Sequence, residues 1–172
     1  MKIYKSTLAS LALVFSIPIV IAILAISPLF AGPPAGYTLY VGESIAMLYP
    51  SDKPSLSYII GAGTVEGLRA NINIIPRMCI NDIVIIGGVA DLMFTAERGK
   101  TEQSIHAQLL LLGQELENSF NVKPHILKPS VVLDIAYGNP SENTTDGIHL
   151  SVKGYELLAV AMKNPDSWLS NP

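Results

Sequence analysis

Ten residues late in the chain, Asp146-Gly147-Ile148-His149-Leu150-Ser151-Val152-Lys153-Gly154-Tyr155, put a carboxylate three positions before a histidine. An imidazole held by a carboxylate has a fixed tautomer and can take a proton from a hydroxyl, which is half of a nucleophilic site. The hydroxyl candidate lies 105 residues upstream, where the apolar run Tyr37 to Val41 breaks at Gly42-Glu43-Ser44. Taken singly, each residue has a plainer use. Ser44 could cap a helix, His149 could be a hydrogen-bonded histidine at a helix start, and Asp146 could cap a turn. Their conjunction in this chain order is what points to chemistry.

A scaffold has to bring the two pieces together. Tyr37 to Val41 has the β-branched and aromatic content of a first strand, and Gly42 ends it so that Glu43 and Ser44 fall at its C-terminal edge, where open parallel sheets bind ligands. Ile45 to Tyr49 is expected as a short helix stopped by Pro50. Leu56 to Ile60 reads as a second strand running into Gly61-Ala62-Gly63-Thr64, and Val65 to Ile75 has helical spacing ended by Pro76. Asp82 to Ile86 is apolar after its first residue, as a central strand covered on both faces should be, and it ends in Gly87-Gly88-Val89-Ala90-Asp91. Thr101 to Phe120 reads as a long amphipathic helix with Ile105, Leu109, Leu112, Leu116 and Phe120 on one side. His125 to Leu127 is a candidate fourth strand, and Val131 to Ile135 is either a fifth strand or an extended return segment. Tyr137 to Thr145 is polar and turn-rich. Ser151 to Lys163 closes the chain as a helix, with Ser151 as its cap and Leu157, Leu158 and Val160 facing inward. Alternating strands and helices predict an α/β fold, a three-layer α/β/α sandwich with a parallel sheet of about four to five strands.

A serine after the first strand and an Asp-x-x-His before the last helix together resemble the SGNH (GDSL-type) hydrolase family, over about Tyr37 to Lys163. The resemblance implies a flavodoxin-like fold and an acyl-serine mechanism without a cofactor. It makes Ser44 the nucleophile, His149 the general base and acid, and Asp146 the orienting carboxylate. It further implies oxyanion donors at the backbone N–H of Ser44 and of Gly63, with Gly61 of the same turn as the alternative to Gly63. The third block departs from the family. Members usually read Gly-x-Asn-Asp after the central strand, the asparagine donating to the oxyanion, whereas Gly88-Val89-Ala90-Asp91 has alanine there. Gly88 and Ala90 are expected to contact substrate, but Ala90 brings no side-chain donor. Loss of one such donor typically costs about 100- to 1,000-fold in turnover. The first block reads Gly-Glu-Ser instead of Gly-Asp-Ser, which keeps the carboxylate.

The resemblance implies an ester-bearing small molecule, glycan or lipid as substrate; family members outside the cytoplasm often handle O-acetyl groups on envelope glycans. The alternative is a catalytically impaired domain that binds a glycan or a partner protein. Hydrolysis and transfer to a sugar hydroxyl are both open, as is activity only within a polysaccharide-modifying complex.

Leu8 to Ile26 is apolar apart from Ser10, Ser16 and Pro18, and it follows Lys2 and Lys5 as an export or anchor segment follows its charged flank. It is long enough to cross a ~30 Å hydrocarbon core, and Leu29-Phe30-Ala31-Gly32 matches a cleavage site poorly. Residues 1–31 are therefore expected as a membrane anchor, 32–36 as a Pro/Gly linker, and 37–172 as a domain outside the cytoplasm, secreted if the anchor is cleaved. The net charge of −3 over 172 residues and the lack of a basic cluster argue against nucleic acid as a partner. The single cysteine, Cys79, is expected to be a small buried thiol. His106 and His125 lack ligand spacing for a metal, and none is expected. Asn143-Thr144-Thr145 fits the glycosylation pattern. Arg69 and Arg77 are expected as solvated helix-face charges.

Overall fold

The computed structural model describes residues 36–47, 49, 54–59, 63–76 and 79–169. The expected anchor and nearly all of the linker lie outside the described residues, as do Gly61 and Arg77. Among the described residues, no helix is long and apolar enough to cross a membrane.

Four parallel strands form the middle layer in the order β2-β1-β3-β4, with β1 at Tyr37–Gly42, β2 at Ser55–Ile59, β3 at Ile80–Ile86 and β4 at His125–Ile126. Side chains alternate across this sheet. Leu39 and Val41 of β1 and Ile83 and Ile85 of β3 face one core, whereas Tyr40, Val84 and Ile86 face the other. The first core is covered by α2 (Val65–Ala70) and α5 (Glu102–Phe120), the second by α6 (Pro129–Gly138) and α8 (Val152–Ala161). Short helices α1 (Ser44–Met47), α3 (Val89–Met93), α4 (Thr95–Arg98) and α7 (Pro140–Asn143) complete the three layers. The order reverses between β1 and β3. This switch point is where ligands settle in open α/β sheets, and Ser44 and Ala90 both follow strands that flank it.

Local chemistry explains the boundaries. The Thr101 hydroxyl accepts from the Ser104 N–H at 3.1 Å while the Ser104 hydroxyl accepts from the Thr101 N–H at 2.9 Å, so the long helix starts with a reciprocal cap. Along α5, Ile105, Leu109, Leu112 and Leu116 are fully buried. On the outer edge of β4, the N–H of Leu169 donates to the Ile126 carbonyl and Trp168 bridges Leu127, which covers an otherwise open strand.

Several expectations are corrected. Val131 to Ile135 is helical, not extended. Pro129 suits the first position of a helix, and Pro129, Val132 and Ala136 form a buried stripe at i, i+3 and i+7, so packing outweighs the β-branched composition. The polar stretch that follows continues this helix to Gly138 and then forms α7. The helix expected over Val65 to Ile75 stops at Ala70, because the Asn71 amide donates to the Gly67 carbonyl and a 3-10 turn over Ile72–Ile74 follows. On α8 only Leu158 of the three expected leucine and valine positions is buried; Leu157 and Val160 are exposed, since the inward stripe is Gly154, Tyr155 and Leu158. Cys79 is exposed in the turn before β3. Arg69 is not a free surface charge: its guanidinium pairs with Glu115 at 2.6 Å and also donates to Gln108. Asn143 is buried with its amide donating to the Ile135 carbonyl, which removes it as a glycan acceptor in the folded state.

Leu109 lies at the centre of the first core with no exposed surface. Leu109→Ala should lower unfolding free energy by about 2 to 5 kcal/mol, read as a fall in urea midpoint at unchanged slope.

Candidate active site

At the C-terminal edge of the sheet the backbone turns sharply after β1, and α1 begins at Ser44. Beside the second core, the segment between α7 and α8 folds on itself. The Thr145 N–H donates to the His149 carbonyl at 2.8 Å, Gly147 takes the left-handed φ of 86°, and the Thr144 hydroxyl accepts from the Gly147 N–H. Asp146 Oδ1 then accepts from the N–H groups of Ile148 and His149 at 3.0 and 2.7 Å, which fixes the carboxylate against the residue it must orient.

The structure brings Ser44, Asp146 and His149 together. Asp146 Oδ2 lies 2.6 Å from His149 Nδ1, and His149 Nε2 lies 3.0 Å from Ser44 Oγ. A carboxylate oxygen requires a donor, so Nδ1 carries the proton and Nε2 is left to accept from the serine hydroxyl. The His149 ring, followed by the two backbone N–H groups, holds the Asp146 carboxyl down at about 2, so it is ionised at neutral pH. The closing helix is docked to the serine helix by one buried bond: Tyr155 Oη donates to the Ile45 carbonyl at 3.1 Å. Next to it Gly154 leaves no room for a side chain, since a Cβ there would sit 2.3 Å from the Asn143 carbonyl oxygen. Tyr155 closes the ten-residue stretch that begins at Asp146, yet nothing in the sequence points to this contact.

Glu43, beside the serine, is 4% exposed. Its two oxygens accept from the N–H groups of Gly88 at 2.8 Å and Ala90 at 3.0 Å, which ties the turn after β1 to the turn after β3. Burial pushes its carboxyl up to about 7; the two N–H bonds oppose this, Asp91 adds to it and Arg98 opposes it. Asp91 is fully buried and accepts from the Val65 N–H at 2.9 Å, from Arg98 at 2.7 Å and from Lys100 at 3.0 Å. Burial pushes the Asp91 carboxyl up, but these partners outweigh it and hold it below the usual range. The bond to Val65 links the third block to the start of α2, one residue after Gly63-Thr64.

A cavity of about 260 Å³ opens beside Ser44 and His149, walled by Ile45, Val89, Ala90, Met93, Phe94 and Ile148, with Glu43 behind. Ala90 is thus one of the residues that line the cavity. Gly88 is not among the lining residues: its N–H is engaged by Glu43, and its φ of 79° serves the turn into α3. Gly63 is half-buried and also stands outside the lining. Among the described residues no group of three or more His, Cys, Asp and Glu side chains is placed to hold a metal.

No family model matches the chain, and no curated protein matches it in sequence. Solved structures do. A protein named as a GDSL-like lipase from Parabacteroides merdae superposes with a TM-score of 0.53 at 14% identity, covering 73% of this chain and 93% of its own. An acylhydrolase-named protein from Bacteroides fragilis gives 0.51 at 16% identity, covering 77% and 86%. A GDSL-like lipase from Bacteroides thetaiotaomicron gives 0.50 at 15%, covering 83% and 94%. The chain has a divergent SGNH (GDSL-type) hydrolase fold. At these identities the likeness concerns the fold alone, and within that fold the first block of this chain carries Glu43 and the third carries Ala90.

Folded, Glu43 keeps its proton up to about pH 7, whereas an unfolded glutamate releases it near 4.5. The folded state therefore binds the extra proton in that window, and this group's contribution to stability falls as pH rises from 4.5 to 7, by about 3 kcal/mol at most. Glu43→Gln should flatten the slope of unfolding free energy over pH 4.5 to 7 in urea titrations, although its amide NH2 would face one of the two backbone donors and lower stability overall by about 1 to 3 kcal/mol. An unchanged slope would assign the titration elsewhere.

Proposed function

We propose that the chain is an ester hydrolase or acyltransferase of SGNH type, anchored outside the cytoplasm by its N-terminal segment and acting on ester-linked acyl groups of an envelope glycan or lipid. The observation that carries this reading is the continuous hydrogen-bond line from Asp146 through His149 to Ser44, at the rim of a cavity. The location rests on Lys2 and Lys5 ahead of the apolar run over residues 8–26.

Ser44 Oγ attacks the ester carbonyl carbon while its proton passes to His149 Nε2, and Asp146 stabilises the imidazolium that results. Charge develops on the former carbonyl oxygen, for which the backbone N–H groups of Ser44 and Gly63 are the assigned donors. Collapse breaks the bond to the alcohol, whose oxygen takes the proton from Nε2, and leaves the acyl group on Oγ. Water, or a sugar hydroxyl, then gives its proton to Nε2 and adds to the acyl carbon. Oγ departs with that proton, giving acid in the first case and a new ester in the second.

Ala90 supports a second reading. With no side-chain donor at that position, and with its N–H bound to Glu43, the site holds charge on the carbonyl oxygen less well than a complete one. A domain of this kind could bind a glycan or a partner protein without turning over esters.

On p-nitrophenyl acetate, Ser44→Ala should lower kcat/KM by at least about 1,000-fold. Ala90→Asn, which restores a donor, should raise kcat on the order of 100-fold. Equal rates for wild type and Ser44→Ala would remove Ser44 from the mechanism; no turnover by any form, with measurable glycan binding, would favour the second reading.

A further inference from the structure

The cavity beside Ser44 has a composition that bears on the acyl group. Its walls are Ile45, Val89, Ala90, Met93, Phe94 and Ile148, and they are almost wholly apolar. The polar side chains at its boundary are already engaged. Both oxygens of Glu43 accept from Gly88 and Ala90, and the Ser44 hydroxyl and His149 ring are bound to each other. A sugar ring placed there would bury hydroxyls without partners, at a penalty of several-fold to over a hundredfold in affinity for each. An alkyl chain would meet no such penalty. Phe94 and Ile148 are 38% and 46% exposed, which leaves two large apolar side chains at the mouth for a chain to cover.

We propose that this cavity is an acyl-chain pocket, made continuous by Ala90, and that the chain's substrates are esters of acyl groups of about four to eight carbons and not acetyl esters. The proposal rests on the reading of Ser44 as nucleophile. At a water-like share of roughly 30 Å³ per non-hydrogen atom, 260 Å³ holds about eight such atoms, enough for an ester carbonyl and a medium chain. The magnitudes also agree. Each buried methylene is worth about 4-fold in kcat/KM, so four of them give roughly 250-fold, the same size as the ~100- to 1,000-fold loss that a missing oxyanion donor produces. Ala90 thus exchanges stabilisation of the carbonyl oxygen for burial of the chain attached to it. An asparagine at 90 would put an amide into the apolar wall; alanine leaves the wall apolar. The occupant departs from the O-acetyl expectation, because a single methyl group would leave most of the cavity unfilled.

The test is kcat/KM of the full chain across p-nitrophenyl acetate, butanoate, hexanoate, octanoate and decanoate, beside a matched series of acetate esters of longer alcohols. The expected result is a rise of about 4-fold per methylene to about six or eight carbons, then a plateau, with little response to the length of the alcohol. Ala90→Leu should cut the hexanoate-to-acetate ratio at least 10-fold. Met93→Phe, which also narrows the cavity, serves if the first variant does not fold. A series that is flat or falling from acetate, or one that responds only to the alcohol, overturns the proposal. Binding is read separately on Ser44→Ala, through the Met93 methyl resonance on adding methyl hexanoate or methyl acetate. A hexanoate-selective shift in a protein whose wild type turns over no ester keeps the pocket and discards the nucleophile. No shift with either ester, in the absence of turnover, overturns the pocket.

Discussion

One hydrogen bond, His149 Nε2 to Ser44 Oγ at 3.0 Å, joins residues 105 positions apart, and most of the structure around the site serves to hold its two ends. Neither end is held by the bond itself. Ser44 sits on a turn fixed by β1, whose strand is buried on both faces, and by Glu43, which engages the N–H groups of Gly88 and Ala90. His149 sits on a turn closed by Thr144, Thr145 and Asp146, and the helix that follows is locked to the serine helix by Tyr155 and packed without clearance at Gly154. An ordinary hydrogen bond contributes about 1 kcal/mol net, far too little to order two distant segments. The cores on either side of the sheet do that, and the bond reports that they have done so.

Much of this was legible in the chain itself, and the reasons are specific. The apolar runs of β1 and β3 could be read as strands because parallel strands covered on both faces leave no alternation to confuse them. Asp146 and His149 stood out because both belong to one short turn, so their spacing survives in the sequence. The partnership with Ser44 does not, since it depends on the sheet order. What sequence reasoning missed is equally instructive. The stretch from Val131 to Ile135 has strand-like composition, and only the contact of Val132 and Ala136 with the second core makes it a helix. Glu43 could be seen as a retained carboxylate but not as a clamp, because its two partners lie 45 and 47 residues away and are backbone groups. Tyr155 reaches 110 residues back for the same kind of partner. Met93, Phe94 and Ile148 carry no signal at all, being ordinary apolar residues until the fold gathers them.

The fold and the chemistry of this chain rest on different footings. The fold is similar to that of solved proteins named as GDSL-like lipases and an acylhydrolase, at 14 to 16% identity. Two positions shape its site. Glu43 accepts from the third block's backbone with both of its carboxyl oxygens. Ala90 lines the cavity without a side-chain donor, and its own N–H is bound to Glu43. Together these leave the third block's Val89 and Ala90 as an apolar wall of the cavity.

The central claim is that Ser44 is a nucleophile activated by His149 and Asp146. It is tested most directly by mass spectrometry of the full chain after brief exposure to an alkyl fluorophosphonate. The account predicts a single adduct, located on Ser44 by peptide mapping and formed at least about 1,000-fold more slowly in His149→Ala. Labelling elsewhere, or labelling of Ser44 at the same rate without His149, would contradict it.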